Sequence, residues 1–453
     1  MPHTRLDAAD AVWFAVERPQ NRMVITAVLR LDGLVDVDRL RLLVQERLVA
    51  SYPRLSQRVV RSRLPLAPRR WQDDPAFDLR RHLHVDLLDA TLGGQGLQDL
   101  VGDLLGRPLD GSRPPWELHV VGGADDRGAL VARFHHSLAD GRALAEVLLR
   151  LTDDAGDAGG ASTEDAGPAA TEDPGRASTE HAGGGSTEDA AASREAPRLR
   201  PWQLPRAVVH VVLTLLQVAS YVGEPRTALR GRLGTAKRAA WTEPHDLDDV
   251  RRVADARDAS INDVLLAALA GGLRRHAERC GDRPQDVRVV VPADLRAGAP
   301  VGRGLGNRFG MVLVQLPVSE PDRAARLRRV VDRTSAVKRS TQAVSTYLLL
   351  RVAGWLPRPV PDAAAALLGA AASAVVTNVP GPRQPLSLLG RRLRSLVFWV
   401  PQVGRIGVGI SVFSYSGTVT VGVAADARLA VDPATLAADV DAEITALAAS
   451  AGC

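Results

Sequence analysis

Residues 132–144 read ARFHHSLADGRAL, and this stretch places two histidines directly before a short turn. The apolar residues before His135 predict a strand that ends at the histidine pair. After Gly141, three leucines and a valine recur at the spacing of one helix face, at positions 144, 147, 148 and 151. The stretch therefore predicts a strand, a turn and a helix in succession, with the histidines at the end of the strand.

The two histidines are expected to have different tasks. Adjacent strand residues point to opposite faces, so one of His135 and His136 faces a cavity while the other packs or supports. Asp140 is placed to hold the turn with a charge-assisted hydrogen bond, and a neutral imidazole held in this way suits general-base catalysis near pH 7. The alternatives are a purely structural pair and a metal site. The metal site is disfavoured because the two rings diverge from the strand.

The composition is that of a globular protein with more than one domain. The chain has 453 residues, of which 45% are hydrophobic and 24% are charged, and this length favours two domains. The formal net charge is +5, and only two of the cationic residues are lysines, Lys237 and Lys338. Because the sequence contains no dense basic block, nucleic-acid binding is not favoured.

The cysteines and the N-terminus bear on where the protein works. Cys280 and Cys453 cannot form a disulfide framework, and they fit a reducing compartment. The first residues lack the pattern of a signal peptide, which favours a cytoplasmic location. One apolar run, residues 207–222, is shorter than the roughly 18 to 20 residues that cross a bilayer. We expect it to form a core helix or a helix on a membrane surface.

Residues 152–197 form a low-complexity segment with almost no bulky apolar side chains. The segment repeats STED-like units, and its threonines follow a period of eight from Thr163 to Thr187. Such a segment cannot bury enough apolar surface to offset the entropy of ordering, so a disordered acidic linker is predicted. The linker divides the chain into an N-terminal domain, residues 1–151, and a C-terminal domain, residues 198–453.

The first part of the chain alternates predicted helices and strands. Thr4 and Asp7 have the spacing of a capping box that starts a helix. Residues 23–33 are rich in β-branched side chains and end at a glycine, which predicts a strand. Residues 116–123 and 128–136 read as a strand pair, the second of which carries the histidines.

The second part of the chain shows the same alternation. Ser260 and Asp263 form another capping box at the start of a helix. Two alternating runs around Ser416-Gly417 predict a hairpin, and a C-terminal helix is predicted to begin near Asp432. The sequence therefore predicts two α/β domains.

The stretch HHSLADG resembles the HHxxxDG signature of acyltransferases with the chloramphenicol-acetyltransferase-like fold, which include the condensation domains of nonribosomal peptide synthetases. Further stretches narrow the resemblance to the bacterial wax ester synthase/diacylglycerol acyltransferase family. In chain order they read LDAADAVWFAVERPQNRM, RPLDGSRPPWELHVVGG, INDVLLAALAGGLR, GLGNRFGMVLVQLPV and VVTNVPGPRQPLSLLGRRL. They cover nearly the whole chain outside the linker. One departure is Pro114-Pro115-Trp116, where the family has PLW.

The resemblance implies an α/β fold of two chloramphenicol-acetyltransferase-like domains, with mixed sheets and a tunnel at their interface. His136, the second histidine of the motif, would act as general base, and His135 would support it. Asp140 would be structural, with Arg296 of the second domain as its ion-pair partner. Gly141 would permit the sharp turn. The alternative for Asp140 is that it only caps its own helix.

Three more residues are candidates for contact with the substrates or with the oxyanion. Asn307, in GLGNRFG, is the candidate donor to the oxyanion of the tetrahedral intermediate. Asn262 either lines the tunnel or belongs only to the first turn of a capped helix. Trp116 either contributes to an acyl pocket or packs in the core.

The reaction that the resemblance implies is O-acyl transfer from a long-chain acyl-CoA to a lipid hydroxyl. With diacylglycerol as acceptor the product would be triacylglycerol, and with a long-chain alcohol it would be a wax ester. Acyl-CoA would be a substrate, and neither a cofactor nor a metal would be needed. The enzyme would be cytoplasmic and would attach peripherally to a membrane or lipid-droplet surface. Two alternatives stay open: a condensation-type transferase with a carrier-protein acyl donor, and a catalytically silent lipid-binding paralogue.

Overall fold

The computed structural model describes residues 4–60, 69–88, 91–92, 95–153, 216, 218–221, 223–225, 227–296 and 305–450. The predicted linker lies outside the described residues beyond Asp153. Of the apolar run 207–222, only residues 216 and 218–221 are described.

The strands of the described part of the chain are β1 (Thr4–Arg5), β2 (Val24–Leu31), β3 (Gln57–Val60), β4 (Arg70–Asp73), β5 (Leu83–Leu87), β6 (Trp116–Gly122), β7 (Gly128–His135), β8 (Lys237–Trp241), β9 (His245–Asp246), β10 (Val287–Asp294), β11 (Phe309–Leu316), β12 (Ala374–Pro380), β13 (Ser387–Leu388), β14 (Arg391–Trp399), β15 (Val408–Tyr415) and β16 (Thr418–Asp426).

The α-helices in the same ranges are α1 (Ala8–Val16), α2 (Val37–Leu43), α3 (Gln95–Gly106), α4 (Gly141–Leu149), α5 (Leu247–Ala256), α6 (Ile261–Arg279), α7 (Arg323–Lys338), α8 (Gln342–Ala353), α9 (Pro359–Ala371) and α10 (Pro433–Ser450). A π-helical segment, Val44–Val49, continues α2.

The first large sheet is built around β7, which ends at the histidine pair. Its strand order is β13-β14-β2-β7-β6-β5. β7 pairs antiparallel with β2 on one side and with β6 on the other, and Val24 lies opposite His135. Every residue of β7 is buried, because side chains cover both faces of the sheet at this strand. The histidines therefore leave the sheet from its interior rather than from an edge.

A hairpin from the second half of the chain completes this first sheet. β13 and β14 pair with each other, and β14 pairs antiparallel with β2, with Val397 opposite Val28. The division into two domains, residues 1–151 and 198–453, stays a prediction. The strand pairing adds that the first sheet contains strands from both parts of the chain.

The second large sheet is mixed. Its strand order is β11-β10-β12-β15-β16-β8, and β9 also pairs with β16. The pairs β10–β12 and β12–β15 are parallel, whereas β10–β11 and β15–β16 are antiparallel. A hydrophobic core forms between this sheet and helices α6 and α10, where Leu269 and Leu436 are buried. The result is the mixed α/β architecture that the sequence predicts.

Several predictions made from local signals are confirmed. β15 and β16 form the expected hairpin, and Ser416 and Gly417 both have positive φ, at 47° and 75°, as a tight hairpin turn requires. The Ser260–Asp263 capping box is present at the start of α6. The C-terminal helix begins at Pro433.

The prediction for the first helix is wrong in one respect. Thr4 belongs to β1 and lies opposite Trp71 of β4, so it does not cap a helix. The N-cap of α1 is Asp7, whose side chain accepts a hydrogen bond from the backbone N–H of Ala9 at 2.9 Å. Pairing with a strand distant in sequence has overridden the local capping pattern.

A third apolar cluster lies where α1 meets α8, α9 and the second sheet. It contains Trp13 of α1, Phe309 and Leu313 of β11, and Ala353 at the end of α8. Val218, from the run that the sequence singles out, is buried in the same cluster. Within the described ranges, none of the helices is long and apolar enough to cross a membrane.

Candidate active site

His136 lies between elements of both halves of the chain. It follows β7 directly, and its backbone N–H donates to the carbonyl oxygen of Met23 at 2.7 Å. The buried imidazole stacks on the indole of Trp13, with ring centroids 4.1 Å apart, and its centroid lies 5.5 Å from that of Phe309. Aromatic rings from α1 and β11 therefore hold the side chain in place.

A hydrogen bond that His136 donates to Asn307 sets the tautomer of His136. Nδ1 of His136 lies 3.0 Å from Oδ1 of Asn307. Nδ2 of Asn307 lies 2.8 Å from Oδ1 of Asp10 and 2.8 Å from the carbonyl oxygen of His136. Because both of these partners accept, the amide has one favourable orientation, and its oxygen faces Nδ1. The proton is thus kept on Nδ1, and Nε2 retains its lone pair.

This arrangement suits a general base. Burial lowers the pKa of His136 to about 4, so the imidazole is neutral at pH 7. Among the described residues, the structure records no hydrogen-bond partner for Nε2. The neighbouring charge of Asp140 favours the protonated ring and so helps the imidazole to accept a proton. A neutral imidazole with one fixed and one open nitrogen can abstract a proton from a hydroxyl group.

The contacts of Asn307 favour a role other than the expected one. Asn307 is the predicted oxyanion donor, and the structure does place it beside His136. However, its amide group already donates to Asp10 and to the His136 carbonyl, so no amide hydrogen is left for an oxyanion. These contacts do not support the oxyanion assignment, which stays a prediction, and they favour Asn307 as the residue that orients His136.

Asp10 belongs to the candidate site, although no sequence motif points to it. It lies on α1, is 1% exposed, and accepts from both the backbone N–H and the side-chain amide of Asn307, at 3.1 and 2.8 Å. Burial raises the pKa of Asp10 to about 7, although Arg54 and the bonds from Asn307 act in the opposite direction. The one feature of the sequence that could have pointed to Asp10 is its position as a single carboxylate inside the apolar helix sequence AADAVWF.

His135 makes a different set of contacts. Its Nδ1 accepts from the backbone N–H of Ser137 at 3.1 Å, and its Nε2 lies 3.3 Å from Glu17 Oε2. The ring stacks on Phe14, with centroids 4.1 Å apart. Trp13 and Phe14 of α1 thus each cover one of the two histidines. With both ring nitrogens of His135 occupied, its geometry suits support rather than proton transfer.

Asp140 uses its two oxygens for the two roles that the sequence leaves as alternatives. Oδ1 accepts from the backbone N–H of Ala143 at 3.0 Å and so caps α4. Oδ2 lies 2.5 Å from Nη2 of Arg296 and 3.0 Å from the backbone nitrogen of Arg308. Arg142, the nearer arginine in sequence, pairs with Asp294 instead.

The ion pair also holds the segment that carries Asn307. Ala139 forms a parallel bridge with Gly306, whose N–H donates to the Leu138 carbonyl at 3.0 Å. Nη2 of Arg296 donates to the carbonyl oxygen of Gly306 at 3.1 Å. Gly306 has φ of 108°, a conformation that favours glycine. One arginine therefore joins the HHSLADG turn to the GLGN segment.

The expected role of Gly141 is also corrected. It is the first residue of α4 and is not among the described glycines with positive φ, so the turn does not need its backbone freedom. A Cβ at this position would lie 2.9 Å from Cε1 of Phe398 in β14. Glycine is needed here because β14 packs close to the start of the helix.

The other two candidates lie apart from the His136 contacts described above. Trp116 is buried in the core, where its Nε1 donates to the Leu55 carbonyl at 2.7 Å and its ring stacks on His82. This packing favours the core interpretation. Asn262 lies in the first turn of α6 and accepts from Nδ2 of Asn378 at 3.2 Å. The expectation that it lines a tunnel, and the tunnel itself, stay predictions.

Among the described residues, one group of side chains is close enough together to hold a metal ion. It lies outside the HHSLADG motif. The ligand atoms of His84, Glu117 and His119 lie within 4.8 Å of one another. Glu117 is already paired with Arg133, and Nδ1 of His119 lies 2.7 Å from Asp86 Oδ2. The cluster therefore balances its charges with protein groups.

Comparison with known proteins shows the family of this chain. Residues 6–265 match the family model described as the wax ester synthase/diacylglycerol acyltransferase catalytic domain, and residues 305–448 match that of the C-terminal domain of the same family. The chain belongs to this family. It is an acyltransferase, as the resemblance implied.

Relatives of this acyltransferase occur in mycobacteria. It is 29% identical over 411 residues to a probable diacylglycerol O-acyltransferase of Mycobacterium tuberculosis, a match that covers 87% of this chain and 85% of that protein. It is 31% identical over 326 residues to a putative diacylglycerol O-acyltransferase of the same organism, with 69% and 65% covered.

Solved structures confirm the fold class. The wax ester synthase/diacylglycerol acyltransferase from Marinobacter aquaeolei VT8 is similar with a TM-score of 0.68 and 21% identity, over 99% of this chain and 100% of that one. The first condensation domain of the calcium-dependent antibiotic synthetase is similar with a TM-score of 0.62 and 18% identity, over 99% and 96%. The predicted chloramphenicol-acetyltransferase-like fold is the fold of this acyltransferase.

The Asp140–Arg296 pair can be tested by a double-mutant cycle. Breaking one partner of a buried pair costs about 3–5 kcal/mol, so Asp140→Asn and Arg296→Gln should each lower the free energy of unfolding and the activity together. The double variant should lower the free energy of unfolding by less than the sum of the two single effects, and the difference should be about 0.5–3 kcal/mol. Arg142→Gln is the matched control, with a smaller effect expected. Simple additivity in denaturant unfolding would show that the pair contributes no coupling.

Asp10 is expected to act on the reaction through Asn307. Asp10→Ala should lower kcat by about tenfold or more with little change in KM, because the Asn307 amide loses the acceptor that fixes it. In the wild type, kcat should fall as the pH drops below about 7, where Asp10 takes up a proton. Asp10→Asn keeps an acceptor oxygen and should lose this inflection. Wild-type kcat and pH profile in both variants would rule out the positioning role.

Proposed function

We propose that this enzyme transfers a long-chain acyl group from acyl-CoA to a lipid hydroxyl, that of diacylglycerol or of a long-chain alcohol. Family membership and the names of the mycobacterial relatives support these substrates. The observation that carries the chemistry is the 3.0 Å contact between Nδ1 of His136 and Oδ1 of Asn307, which leaves Nε2 as the open base.

In the proposed reaction, His136 acts first as base and then as acid. Nε2 takes the proton of the acceptor hydroxyl as its oxygen attacks the thioester carbonyl. The tetrahedral intermediate collapses, the carbon–sulfur bond breaks, and the imidazolium returns the proton to the CoA thiolate. Ester and free CoA are the products. Catalysis of this kind contributes about 10²–10⁴-fold to the rate.

The apolar surroundings of His136 favour an alcohol over water as acceptor. Trp13, Phe309 and Leu313 belong to one buried cluster around the base. Hydrocarbon chains bind in such surroundings by the hydrophobic effect, whereas water finds few polar partners there. Exclusion of water protects the thioester from hydrolysis while the hydroxyl of the lipid reacts.

We assign the oxyanion to the indole N–H of Trp13, since Asn307 has no hydrogen to spare. In the described part of the chain, Nε1 of Trp13 is buried and has no hydrogen-bond partner. Its ring stacks on His136 with centroids 4.1 Å apart. A buried donor without an acceptor is costly, and the oxyanion that forms beside His136 would supply that acceptor.

The proposal extends to the acyl donor and to the location. Acyl-CoA is the donor, and a carrier-protein thioester is the competing donor that the fold shared with condensation domains suggests. The acceptors are water-insoluble, so the enzyme works at a membrane or lipid-droplet surface from the cytoplasm, attached peripherally.

The test of the base uses a labelled long-chain acyl-CoA with diacylglycerol, hexadecanol and a short alcohol in one mixture. We expect label in triacylglycerol or wax ester, and a drop of about 10²–10⁴-fold for His136→Ala with the fold retained. His135→Ala should lose less activity per folded molecule than His136→Ala. A folded and active His136→Ala enzyme would refute the base assignment. Transfer only from an acyl carrier protein would refute the CoA donor.

Trp13→Phe separates the indole N–H from the stacked ring. The phenyl ring keeps the contact with His136 but cannot donate, so kcat should fall by about 10²-fold or more with KM little changed. Trp399→Phe is the matched control, because its Nε1 is also buried without a partner among the described residues but belongs to another cluster. Equal kcat values for the two variants would exclude Trp13 as oxyanion donor.

A further inference from the structure

Large apolar side chains are concentrated on one part of the described surface, formed by α8, α9 and the turn between them. Five of them are at least two-fifths exposed: Val344 at 52%, Val352 at 41%, Trp355 at 58%, Leu356 at 42% and Val360 at 45%. Residues 355–360 span most of this turn and the first two residues of α9; they read WLPRPV, and all six are exposed. Soluble proteins rarely expose apolar side chains in such a group without a binding partner.

Helix geometry places three apolar side chains of α8 on one face. Val344, Leu348 and Val352 follow one another at intervals of four along α8, which puts them on one face. Trp355 and Leu356 continue from the end of that helix. We call this group, with Val360, the apolar stripe. Pro357 in the turn and Pro359 at the start of α9 restrict the backbone between the two helices.

The charged residues of the segment that carries the apolar stripe are mostly positive. Residues 339–371 contain three arginines and a single acidic residue, Asp362, which pairs with Arg18 and lies 4.0 Å from Nε of Arg358. The guanidinium of Arg5 lies 4.2 Å from the ring centroid of Trp355. Arg358 is exposed within the turn itself. Tryptophan with arginine at the edge of an apolar surface suits the boundary between an anionic lipid headgroup layer and the acyl chains.

The charge argues against a second copy of this chain as the occupant. In a symmetric dimer the same surface meets itself, so the arginines of the two copies would face each other. Like charges brought together across an interface are unfavourable. An anionic lipid surface supplies the missing negative charge together with an apolar interior.

The apolar stripe is joined to the active site through α1. Ala353 and Leu350, on the other side of α8, pack in the cluster that contains Trp13 and Phe309. At Gly354 an added Cβ would lie 1.8 Å from the carbonyl oxygen of Ala8, so the backbones touch there. The same helix α1 carries Trp13, which stacks on His136. Apolar side chains thus connect the exposed surface to the base.

We propose that the apolar stripe docks on an anionic lipid surface and that lipid substrates pass from there to His136. The exposed side chains of the apolar stripe and the arginines near it support the docking part of this proposal. The delivery part rests on the proposed function, since it requires lipid substrates.

Docking can be measured by co-sedimentation with vesicles of equal parts phosphatidylcholine and phosphatidylglycerol, using the full chain. We expect the wild type to bind these vesicles, to bind phosphatidylcholine vesicles more weakly, and to be partly released by salt. The combined variant Trp355→Ser, Leu356→Ser and Val360→Ser should bind at least about tenfold more weakly. Arg358→Glu should weaken binding only to the anionic vesicles.

A matched control uses exposed apolar residues elsewhere. Leu42 and Leu87 are 71% and 80% exposed and lie outside the apolar stripe. The pair Leu42→Ser and Leu87→Ser should leave binding unchanged. Equal loss in this control, or unchanged binding in the triple variant, would overturn the docking surface. A triple variant that changes mass in solution but not vesicle binding would also overturn it, in favour of self-association.

Activity separates docking from chemistry. With a short-chain acyl-CoA and a short alcohol, both water-soluble, the triple variant should retain wild-type turnover. With acceptor lipid embedded in the anionic vesicles, its turnover should fall about as much as its binding. Equal loss with soluble and embedded substrates would refute delivery through this surface. Vesicle binding by a wild type that transfers no acyl group would refute the proposed function while leaving the docking surface in place.

Discussion

The ion pair between Asp140 and Arg296 determines how the site is assembled. It joins residues 156 positions apart, at side chains that are almost fully buried. Removing both charges from water is costly, and the cost is offset because Oδ2 of Asp140 also accepts from the Arg308 backbone and Oδ1 caps α4. Arg296 in turn holds Gly306, the residue before Asn307. The orientation of His136 thus depends on a contact that does not touch its ring.

Local sequence signals were sufficient for much of the fold. The alternating runs on either side of Ser416-Gly417, the capping box at Ser260, and the strand that ends at the histidines are patterns within a few residues of each other, and the structure has them all. Where a distant partner competes, the local pattern fails. Thr4 pairs with Trp71 in a sheet, and Gly141 is needed because of Phe398, which lies more than half the chain away.

The details of the candidate site were harder to predict for the same reason. The motif indicated His136, and the resemblance indicated Arg296, because each belongs to a recognisable stretch. The function of Asn307 depends on which way its amide faces, and that is set by Asp10, 297 positions away. No periodicity or spacing in the sequence records such a contact. A carboxylate on an otherwise apolar helix marks Asp10 as unusual without naming its partner.

The hairpin β13–β14 makes the two parts of the chain depend on each other during folding. Until Arg391–Trp399 has been synthesised, β2 has no neighbour on one side and exposes a row of unpaired backbone groups beside apolar side chains. The sheet that carries the histidines therefore cannot close while the ribosome is still adding the second half. A fragment that ends before β14 would have an unpaired strand edge that is prone to aggregation. The histidine motif lies early in the chain, but the sheet that carries it is completed late.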